Sequence, residues 1–420
     1  MRACSERAGI VHGVRCLDTD ASLEGNFNIA YEPEAASAYC KQKSKDMCDL
    51  RKGCKFLVVD AGGGTADLVV HELVDDSALK VKEAAIRTGA RCGGTFVDEA
   101  FMDYLAEKIG CFKQLGAEDP TIRHLMLKEW QGLKYTFDQD EQWHITVPLP
   151  ARLAKAWENH DQGTGSWSPD LEYGQIVITR QDMTRMFNGP VNQILELMKA
   201  QMAEVPQVQA IFVVGGFAKA PYLITRIRAE FPALAPDRIT SPGHPELAVA
   251  EGATLIGILG DAWLMSRKSG KTYGVSCYRP LQIGDPPGSH SICEINGEAL
   301  CKDAFDVFTR IGKDVKYNDC VTRQYYPLNK SHTTIEFTLY STADPTPKFV
   351  TEDGVEKVGS YTYDLPVEAQ RMEQEPSVQV SMYFGRTHIQ VWAEPINFRG
   401  VKTSLCSVPF NRIPVAYDAL

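Results

Sequence analysis

The sequence has no long apolar run, and this absence argues against a helix that spans a membrane. No stretch of its 420 residues reaches the ~18 consecutive apolar residues that such a helix needs. The N-terminal segment MRACSERAGIVHG has no apolar signal-peptide core, so we expect a cytoplasmic protein, with a nuclear location as the alternative. The net charge of −10 leaves no excess of positive charge, which argues against a surface dedicated to nucleic acid.

The cysteines lack any spacing that is typical of a metal site. The chain has 12 cysteines scattered along its length, and no two of them stand as C-x-x-C. Zinc sites and the disulfide frameworks of small secreted domains both show closer and more regular cysteine spacing. We therefore expect free thiols.

Two common nucleotide-binding loops are also missing. No G-x-G-x-x-G sequence opens a helix. Gly270–Lys271–Thr272 resembles the end of a Walker loop, but Met265 stands where the earlier glycine is required.

A glycine-rich turn between two apolar runs is the most informative feature that is present. In FLVVDAGGGTADLVVHEL, residues 56–73, the β-branched and aromatic residues predict two strands, and three consecutive glycines predict the turn between them. Backbone amides in such a turn converge on an anion, which makes it a candidate phosphate loop. Asp60 and Asp67 flank it, where carboxylates hold hydrated Mg²⁺ or orient water. The alternative, an ordinary glycine hairpin between core strands, is commoner for this pattern alone.

A second glycine pair follows another buried strand. VQAIFVVGGFAKAPYL, residues 208–223, predicts a strand to Val214, a turn at Gly215 and Gly216, and a helix from Pro221. This arrangement brings backbone amides to the C-terminal edge of a sheet, where ligands usually bind in α/β proteins. A plain βα turn is again the commoner alternative.

The segments around these motifs carry weaker patterns. Residues 28–40 predict a strand that ends at Glu32 and then a small-residue helix, and residues 41–55 predict a surface connection. The polar stretch 157–173 predicts an insertion between two strands. Asp119 predicts a helix cap. The residues expected on the buried face of that helix are Ile122, Leu125, Met126, Leu133 and Phe137, with Gln131 and Lys134 on its other face.

The pattern changes beyond residue 270. TTIEFTLYS, SVQVSMYFG and HIQVWAEP alternate apolar and polar residues, and Pro, Gly and Asp residues separate such runs. This pattern predicts an antiparallel sandwich with one face toward solvent. Residues 262–272 predict the linker that precedes it.

Taken in order, YEPEAA, DAGGGTADL, VVGGFAKAPYL and PELAVAEGA resemble the 70-kDa heat-shock protein family, and more closely its divergent heat shock 70 kDa protein 12 branch. The resemblance covers nearly the whole chain. It implies an α/β actin-like (ribonuclease H-like) ATPase domain, truncated at its N-terminus, followed by an antiparallel β-sandwich without a helical lid. The implied divisions are a remnant of the first ATPase lobe (1–55), the second lobe (56–262, with a helical insertion at about 90–175) and a substrate-binding-like sandwich (270–420).

The resemblance also implies an ATP or ADP site, with Mg²⁺, between two lobes. The residues it places around the β- and γ-phosphates are Gly62, Gly63, Gly64 and Thr65. Those it implies for catalysis are Asp60, Asp67, Thr65 and Glu32, of which Asp60 and Asp67 would act on Mg²⁺ through bridging water. Those it places at the nucleoside are Gln131, Lys134, Gly215, Gly216, Phe217 and Lys219.

The chain departs from the family pattern in two places. After the glycine pair the family usually has Ser-x-Arg, whose arginine stacks on adenine, whereas this chain has Phe217–Ala218–Lys219. Lysine lacks the planar guanidinium, so Phe217 would be the partial substitute, and Gln131 stands where a glutamate is usual. The resemblance implies ATP hydrolysis, but the family's first phosphate hairpin, D-x-G-T-x-x-S, and its catalytic lysine do not occur in this sequence.

Three functions are compatible with these observations. The first is an ATP-binding chaperone-like protein that couples its nucleotide state to an unfolded peptide, a client protein or co-chaperones. The second is a non-catalytic nucleotide sensor or peptide-binding scaffold. The third is an enzyme of the sugar-kinase type, which the predicted sandwich argues against.

Overall fold

A computed structural model describes residues 29–47, 50–75, 80–138, 143–260, 263–285, 288, 290–292, 299–327, 332–367, 371, 376–398, 400 and 402–410. Its helices are α1 (Glu32–Met47), α2 (Thr95–Lys108), α3 (Phe112–Glu118), α4 (Pro120–Leu133), α5 (Ala151–Thr164), α6 (Arg180–Glu204), α7 (Pro221–Glu230) and α8 (Ala248–Leu259).

The strands fall into an early and a late group. The early ones are β1 (Lys55–Ala61), β2 (Ala66–Asp75), β3 (Lys80–Glu83), β4 (Thr88–Ala90), β5 (His144–Pro148), β6 (Gln175–Thr179), β7 (Val208–Val214) and β8 (Ile239–Thr240). The late ones are β9 (Ser266–Lys268), β10 (Thr272–Pro280), β11 (His290–Ile292), β12 (Ala299–Thr309), β13 (Asp314–Lys316), β14 (Cys320–Tyr325), β15 (Thr334–Thr342), β16 (Glu356–Asp364), β17 (Val378–Tyr383), β18 (His388–Pro395) and β19 (Thr403–Pro409).

The chain packs as two units. The first, called here the hairpin unit, contains the described residues of Glu32–Leu79 and Arg87–Ile258. The second, called here the strand-rich unit, contains those of Met1–Tyr31, Lys80–Ile86 and Leu259–Ile413. Within the described part of the chain, no helix is both long and apolar enough to cross a membrane.

In the hairpin unit, strands run in the order β2–β1–β7–β8, and β4 lies beside β2. Strand β1 is antiparallel to β2, which confirms the predicted hairpin, and parallel to β7. β1 is buried from Phe56 to Ala61, as expected for a central strand whose apolar run is continuous. In the register, Asp60 at the end of β1 lies opposite Val214 at the end of β7. The two glycine turns therefore follow neighbouring strands at one edge of this sheet.

The structure corrects the prediction for the segment before the hairpin. Residues 29–31, the described part of the predicted strand, form no strand, and helix α1 begins directly at Glu32. The acidic residues Glu32 and Glu34 favour a helix start in its first turn, because the N-terminal end of the helix dipole is positive. The helix then continues to Met47 through residues expected to be a surface connection. Lysine and glutamine in that stretch are good helix formers.

Two helices differ in part from expectation. The cap at Asp119 is confirmed, since its side chain accepts a hydrogen bond from the Thr121 amide. On the same helix, however, Leu125 is 43% exposed, and Trp130 is fully buried in its place. The stretch 157–173, predicted as a polar insertion between two strands, begins as a helix, because α5 runs into it with Trp157 buried. Many residues of this stretch are polar and face solvent, so the apolar spacing that indicates a helix was not evident in the sequence.

Two larger antiparallel sheets lie in the described part of the strand-rich unit. One has the order β11–β12–β10–β15–β16, and the other has the order β14–β17–β18–β19. Both sheets contribute to one hydrophobic core, in which Val275 and Leu339 of the first sheet cluster with Val380 and Val391 of the second. The predicted linker 262–272 is structured in part, because β9 pairs with β13.

Candidate functional site

The glycine turn between β1 and β2 is closed by one backbone hydrogen bond. The Gly62 amide donates to the Thr65 carbonyl at 2.9 Å. None of the three glycines has a left-handed φ, so the turn does not need glycine for its backbone angles. Space is tight only at Gly62, where a Cβ would lie 3.3 Å from the Thr65 oxygen. A Cβ on Gly64 would meet no protein atom within 4 Å and would point into open space.

The start of helix α2 holds the carbonyl side of this turn. The Gly94 amide donates to the Gly62 carbonyl at 3.0 Å, and the Thr95 amide and hydroxyl both donate to the Gly63 carbonyl at 2.8 Å. The approach requires glycine at residue 93, where a Cβ would lie 2.2 Å from the Gly63 oxygen. The turn is thus fixed to a helix start, which satisfies its carbonyls.

Three amides of the same turn, those of Gly63, Gly64 and Thr65, have no acceptor in the protein backbone among the described residues. Gly63 and Gly64 are exposed to solvent. Consecutive amides of a turn that have no carbonyl partner are candidates for an anion-binding nest. The turn can therefore donate three hydrogen bonds to one anion such as a phosphate.

Two carboxylates stand on the strands that lead into and out of the turn. Asp60 and Asp67 lie opposite each other in the β1–β2 register. Asp60 is only 6% exposed. The Thr65 hydroxyl donates to Asp67 Oδ2 at 3.0 Å, which orients that carboxylate. Gly89 leaves room for the Asp67 carboxylate, because a Cβ on residue 89 would lie 2.4 Å from Asp67 Oδ1.

The carboxylates influence one another electrostatically. Burial, the Glu32 charge and the Asp67 charge together raise the pKa of Asp60 to about 7. Burial and the Glu32 charge raise the pKa of Asp67, while the Thr65 hydrogen bond and the Arg87 charge act in the opposite direction. The structure therefore brings together Glu32, Asp60 and Asp67, the three acidic residues that the family resemblance implied.

A buried ion pair beside these carboxylates was not foreseen. Arg87 Nη1 lies 3.8 Å from Glu34 Oε1, and their side chains are 2% and 1% exposed. The positive charge of Arg87 opposes the rise in the pKa of Asp67. The only signal in the sequence was the position of Glu34 inside the YEPEAA motif. Nothing local marked Arg87 as its partner.

The glycine pair after β7 packs directly against the end of β1. Gly215 has a φ of +87°, and a Cβ there would lie 2.3 Å from the Ala61 carbonyl oxygen and 2.6 Å from Asp60 Oδ1. Its amide donates to the Pro245 carbonyl at 2.9 Å. A Cβ on Gly216 would meet no atom within 4 Å. The two glycine motifs therefore form one continuous site edge.

Phe217 and Lys219 follow this glycine pair in the sequence. The resemblance placed both at the nucleoside, but both have other partners in the protein. Phe217 is 1% exposed, and its ring stacks on Phe187 with centroids 6.0 Å apart. Lys219 Nζ forms an ion pair with Glu246 Oε1 at 2.9 Å. For Phe217 to stack on a base, the ring would have to leave this packing.

The other two such side chains, Gln131 and Lys134, converge on Asp98 of helix α2. Lys134 Nζ lies 2.8 and 3.1 Å from the two Asp98 oxygens, and Gln131 Nε2 donates to Asp98 at 3.0 Å. Trp130 Nε1 completes the set at 2.8 Å. Sequence reasoning missed Asp98, because no local pattern connects α2 with the end of α4.

The site suits a hydrated cation better than a directly ligated one. Among the described residues, no three His, Cys, Asp or Glu side chains are grouped to hold a metal ion. Asp60 and Asp67 offer carboxylate oxygens on adjacent strands. Mg²⁺ usually keeps several water ligands and contacts one or two protein carboxylates, so this pair fits it.

Comparison with known proteins gives a consistent result. Residues 26–262 match the family model described as Hsp70 protein. The chain is 28% identical over 360 residues to heat shock 70 kDa protein 12A of Homo sapiens, a match that covers 82% of this chain and 52% of that protein. It is 26% identical over 384 residues to heat shock 70 kDa protein 12B of Homo sapiens, with 85% and 54% covered. The chain thus spans about half the length of these curated relatives.

A bacterial relative extends the comparison. Chaperone protein DnaK of Thermotoga neapolitana is 26% identical over 265 residues, which are 60% of this chain and 38% of that protein. The family match includes the glycine turn, its carboxylates and the glycine pair, and it implies the actin-like ATPase fold. The chain therefore belongs to the Hsp70 protein family, and the predicted resemblance to its heat shock 70 kDa protein 12 branch is confirmed.

Proposed function

We propose that this chain binds ATP or ADP, together with Mg²⁺, at the glycine turn. The observation that carries the proposal is the candidate nest formed by the amides of Gly63, Gly64 and Thr65. Helix α2 holds the carbonyls of the turn, so the amides need no reorganisation to receive a phosphate. Family membership supports a nucleotide, rather than another anion, as the ligand.

The carboxylates complete the proposed site. Bound Mg²⁺ would neutralise phosphate charge and the mutual repulsion of Asp60 and Asp67. Thr65 keeps the Asp67 carboxylate in one orientation through its hydroxyl. Asp60, whose pKa is about 7, is able to accept or release a proton near neutral pH. The catalytic roles of Asp60, Asp67, Thr65 and Glu32 belong to this proposal.

We further propose that the nucleotide state is coupled to a peptide or client protein at the strand-rich unit. Its two antiparallel sheets around one core are compatible with the substrate-binding-like sandwich proposed for residues 270–420. The proposal includes co-chaperones and a cytoplasmic location. Relatives named as chaperones support it. The assignment of residues 56–262 to the second lobe of an ATPase domain is also part of this proposal.

Isothermal titration of the full chain with Mg·ADP tests the binding site. Gly64→Val adds a side chain whose Cβ meets no protein atom within 4 Å, so its effect reports on the space left for a ligand. Gly163→Val is the matched control, because Gly163 is an exposed glycine of α5 with open space around it. We expect binding to wild type and the control, and a loss of about tenfold or more, or about 1.4 kcal/mol, in Gly64→Val. Unchanged binding by Gly64→Val contradicts the proposal.

A non-catalytic nucleotide sensor is the second candidate. Two buried positive charges of the hairpin unit are already engaged, since Arg87 pairs with Glu34 and Lys134 pairs with Asp98. Phosphoryl transfer depends on free positive charge that stabilises the transition state. A single-turnover assay with labelled ATP separates the candidates. Hydrolysis by wild type above the Asp60→Asn background supports the ATPase, and equal rates support the sensor.

A further inference from the structure

We infer that the site recognises the polyphosphate of its ligand and is largely indifferent to the base. The substrate class is then any nucleoside triphosphate, and inorganic tripolyphosphate should bind as well. This inference rests on the proposed function, because it takes the glycine turn as the phosphate site. It follows from a contrast between two sets of groups. The amides that would contact the phosphates have no backbone acceptor among the described residues, whereas the side chains that would contact the nucleoside are already bound to other protein groups.

On the phosphate side, the recognition groups are free and fixed in place. The amides of Gly63, Gly64 and Thr65 have no backbone acceptor among the described residues. Thr95 holds the turn through two hydrogen bonds to the Gly63 carbonyl. A ligand phosphate therefore gains its hydrogen bonds without breaking any in the protein.

On the nucleoside side, the charged and polar groups are already bound to protein carboxylates. Lys134 is 3% exposed and contacts both oxygens of Asp98, and Gln131 donates to the same carboxylate. Trp130 is a further donor to it. A base or ribose that recruited Lys134 would leave a buried carboxylate short of a partner. That loss offsets most of what the new contact contributes.

The other two side chains that the resemblance places at the nucleoside, Lys219 and Phe217, are also held by protein contacts. Lys219 is paired with Glu246 at 2.9 Å. Phe217 is buried against Phe187, and its ring also lies close to Gly94, where a Cβ would come within 3.3 Å of it. The side chains that family resemblance assigns to base recognition are thus committed elsewhere.

Asp98 is the positioning residue in this arrangement. It lies one turn after Thr95 on helix α2, so the helix that fixes the phosphate turn also carries the carboxylate that holds Gln131 and Lys134. A rigid helix of this kind keeps both groups in place together. Asp98 and, near the glycine pair, Glu246 therefore keep these side chains from reading the base.

The first test measures the affinity of the full chain for Mg²⁺ complexes of ATP, GTP, CTP, UTP and inorganic tripolyphosphate by isothermal titration. We expect the four nucleotides to agree within about threefold, and tripolyphosphate to lie within about tenfold, or 1.4 kcal/mol, of ATP. ATP binding more than about tenfold tighter than GTP, with loss of ATP binding in Gly64→Val, overturns the inference and leaves the proposed function standing. No binding of any of the five overturns both.

The second test uses variants that release the engaged side chains. Asp98→Asn weakens the hold on Gln131 and Lys134, and Glu246→Gln removes the charge that holds Lys219 at a partly exposed position. We expect the ratio of ATP affinity to tripolyphosphate affinity to rise at least about threefold, or 0.65 kcal/mol, in either variant that folds. A purely structural role would lower both affinities together. An unchanged ratio in Glu246→Gln, and in Asp98→Asn if it folds, contradicts the inference.

Discussion

Gly93 lies so close to Gly63 that a Cβ at residue 93 would come within 2.2 Å of the Gly63 carbonyl oxygen. The same oxygen accepts hydrogen bonds from the amide and hydroxyl of Thr95. The glycine turn and the start of helix α2 therefore form one rigid feature. The direction of the amides of Gly63, Gly64 and Thr65 depends on this contact as much as on the turn itself.

Gly93→Ala is expected to displace the turn. Backbone atoms cannot yield as a flexible side chain does, so we expect the free energy of unfolding to fall by about 1–3 kcal/mol. Gly64→Ala is the control, because its Cβ meets nothing and its φ is not left-handed. Urea denaturation measures both. Equal stability of the two variants would show that the close contact is not present in solution.

Helices α1 and α8 meet at a second close contact. A Cβ on Gly252 would lie 1.8 Å from the Ala35 carbonyl oxygen, whereas Gly257 on the same helix has open space. Alanine favours a helix interior over glycine by about 1 kcal/mol, so Gly257→Ala should stabilise the chain slightly. Gly252→Ala should destabilise it by about 2 kcal/mol despite that gain. Thermal unfolding of the two variants tests this prediction. Stabilisation by both substitutions would contradict the close contact between Gly252 and Ala35.

Removal of the Asp98 carboxylate should be costly. Asp98→Ala leaves the buried Lys134 charge without its partner, so we expect a loss of about 3–5 kcal/mol in the free energy of unfolding. Asp103→Ala, an exposed acidic position on the same helix, should change it little. The double variant Asp98→Leu/Lys134→Met should recover much of the loss, because it removes both charges. If the single and double variants lose equal amounts of unfolding free energy, the unpaired charge of Lys134 is not the cause of the loss.

Asp60 should make the stability of the folded chain depend on pH. Folding raises the pKa of Asp60 from 3.8 to about 7, so its stabilising contribution is fully present below pH 3.8 and is lost as pH rises through about 7. Asp60→Asn mimics the protonated carboxyl. Its advantage over wild type should grow from pH 4 to pH 7, to at most about 4 kcal/mol at 1.4 kcal/mol per pKa unit. Urea denaturation across this range measures it, and parallel pH profiles would contradict the prediction.

The hairpin was predictable because its pattern is local. Two apolar runs around three glycines specify the strands and the turn, and β1 and β2 appear where that pattern placed them. The grouping of Glu32, Asp60 and Asp67 followed from family resemblance, since Glu32 comes from a distant helix. A pattern within one segment carries no information about which segment lies beside it.

The partners of the nucleoside-side residues could not be predicted for that reason. Asp98 and Lys134 lie on different elements, and their pairing depends on how α2 packs against the end of α4. Burial of Trp130 in place of Leu125 arises from the same packing, because a small rotation of the helix changes which apolar residue faces inward. The ring of Phe217 points inward because Gly94 leaves room for it.

The central claim is that the amides of Gly63, Gly64 and Thr65 receive a phosphate. Amide-resolved NMR of the isotope-labelled full chain during titration with Mg·ADP tests it most directly. We expect the three amide protons to move downfield together, in a saturable manner and at the affinity found by titration calorimetry, because each gains a charge-assisted hydrogen bond. Saturable binding that leaves these three resonances in place would contradict the claim.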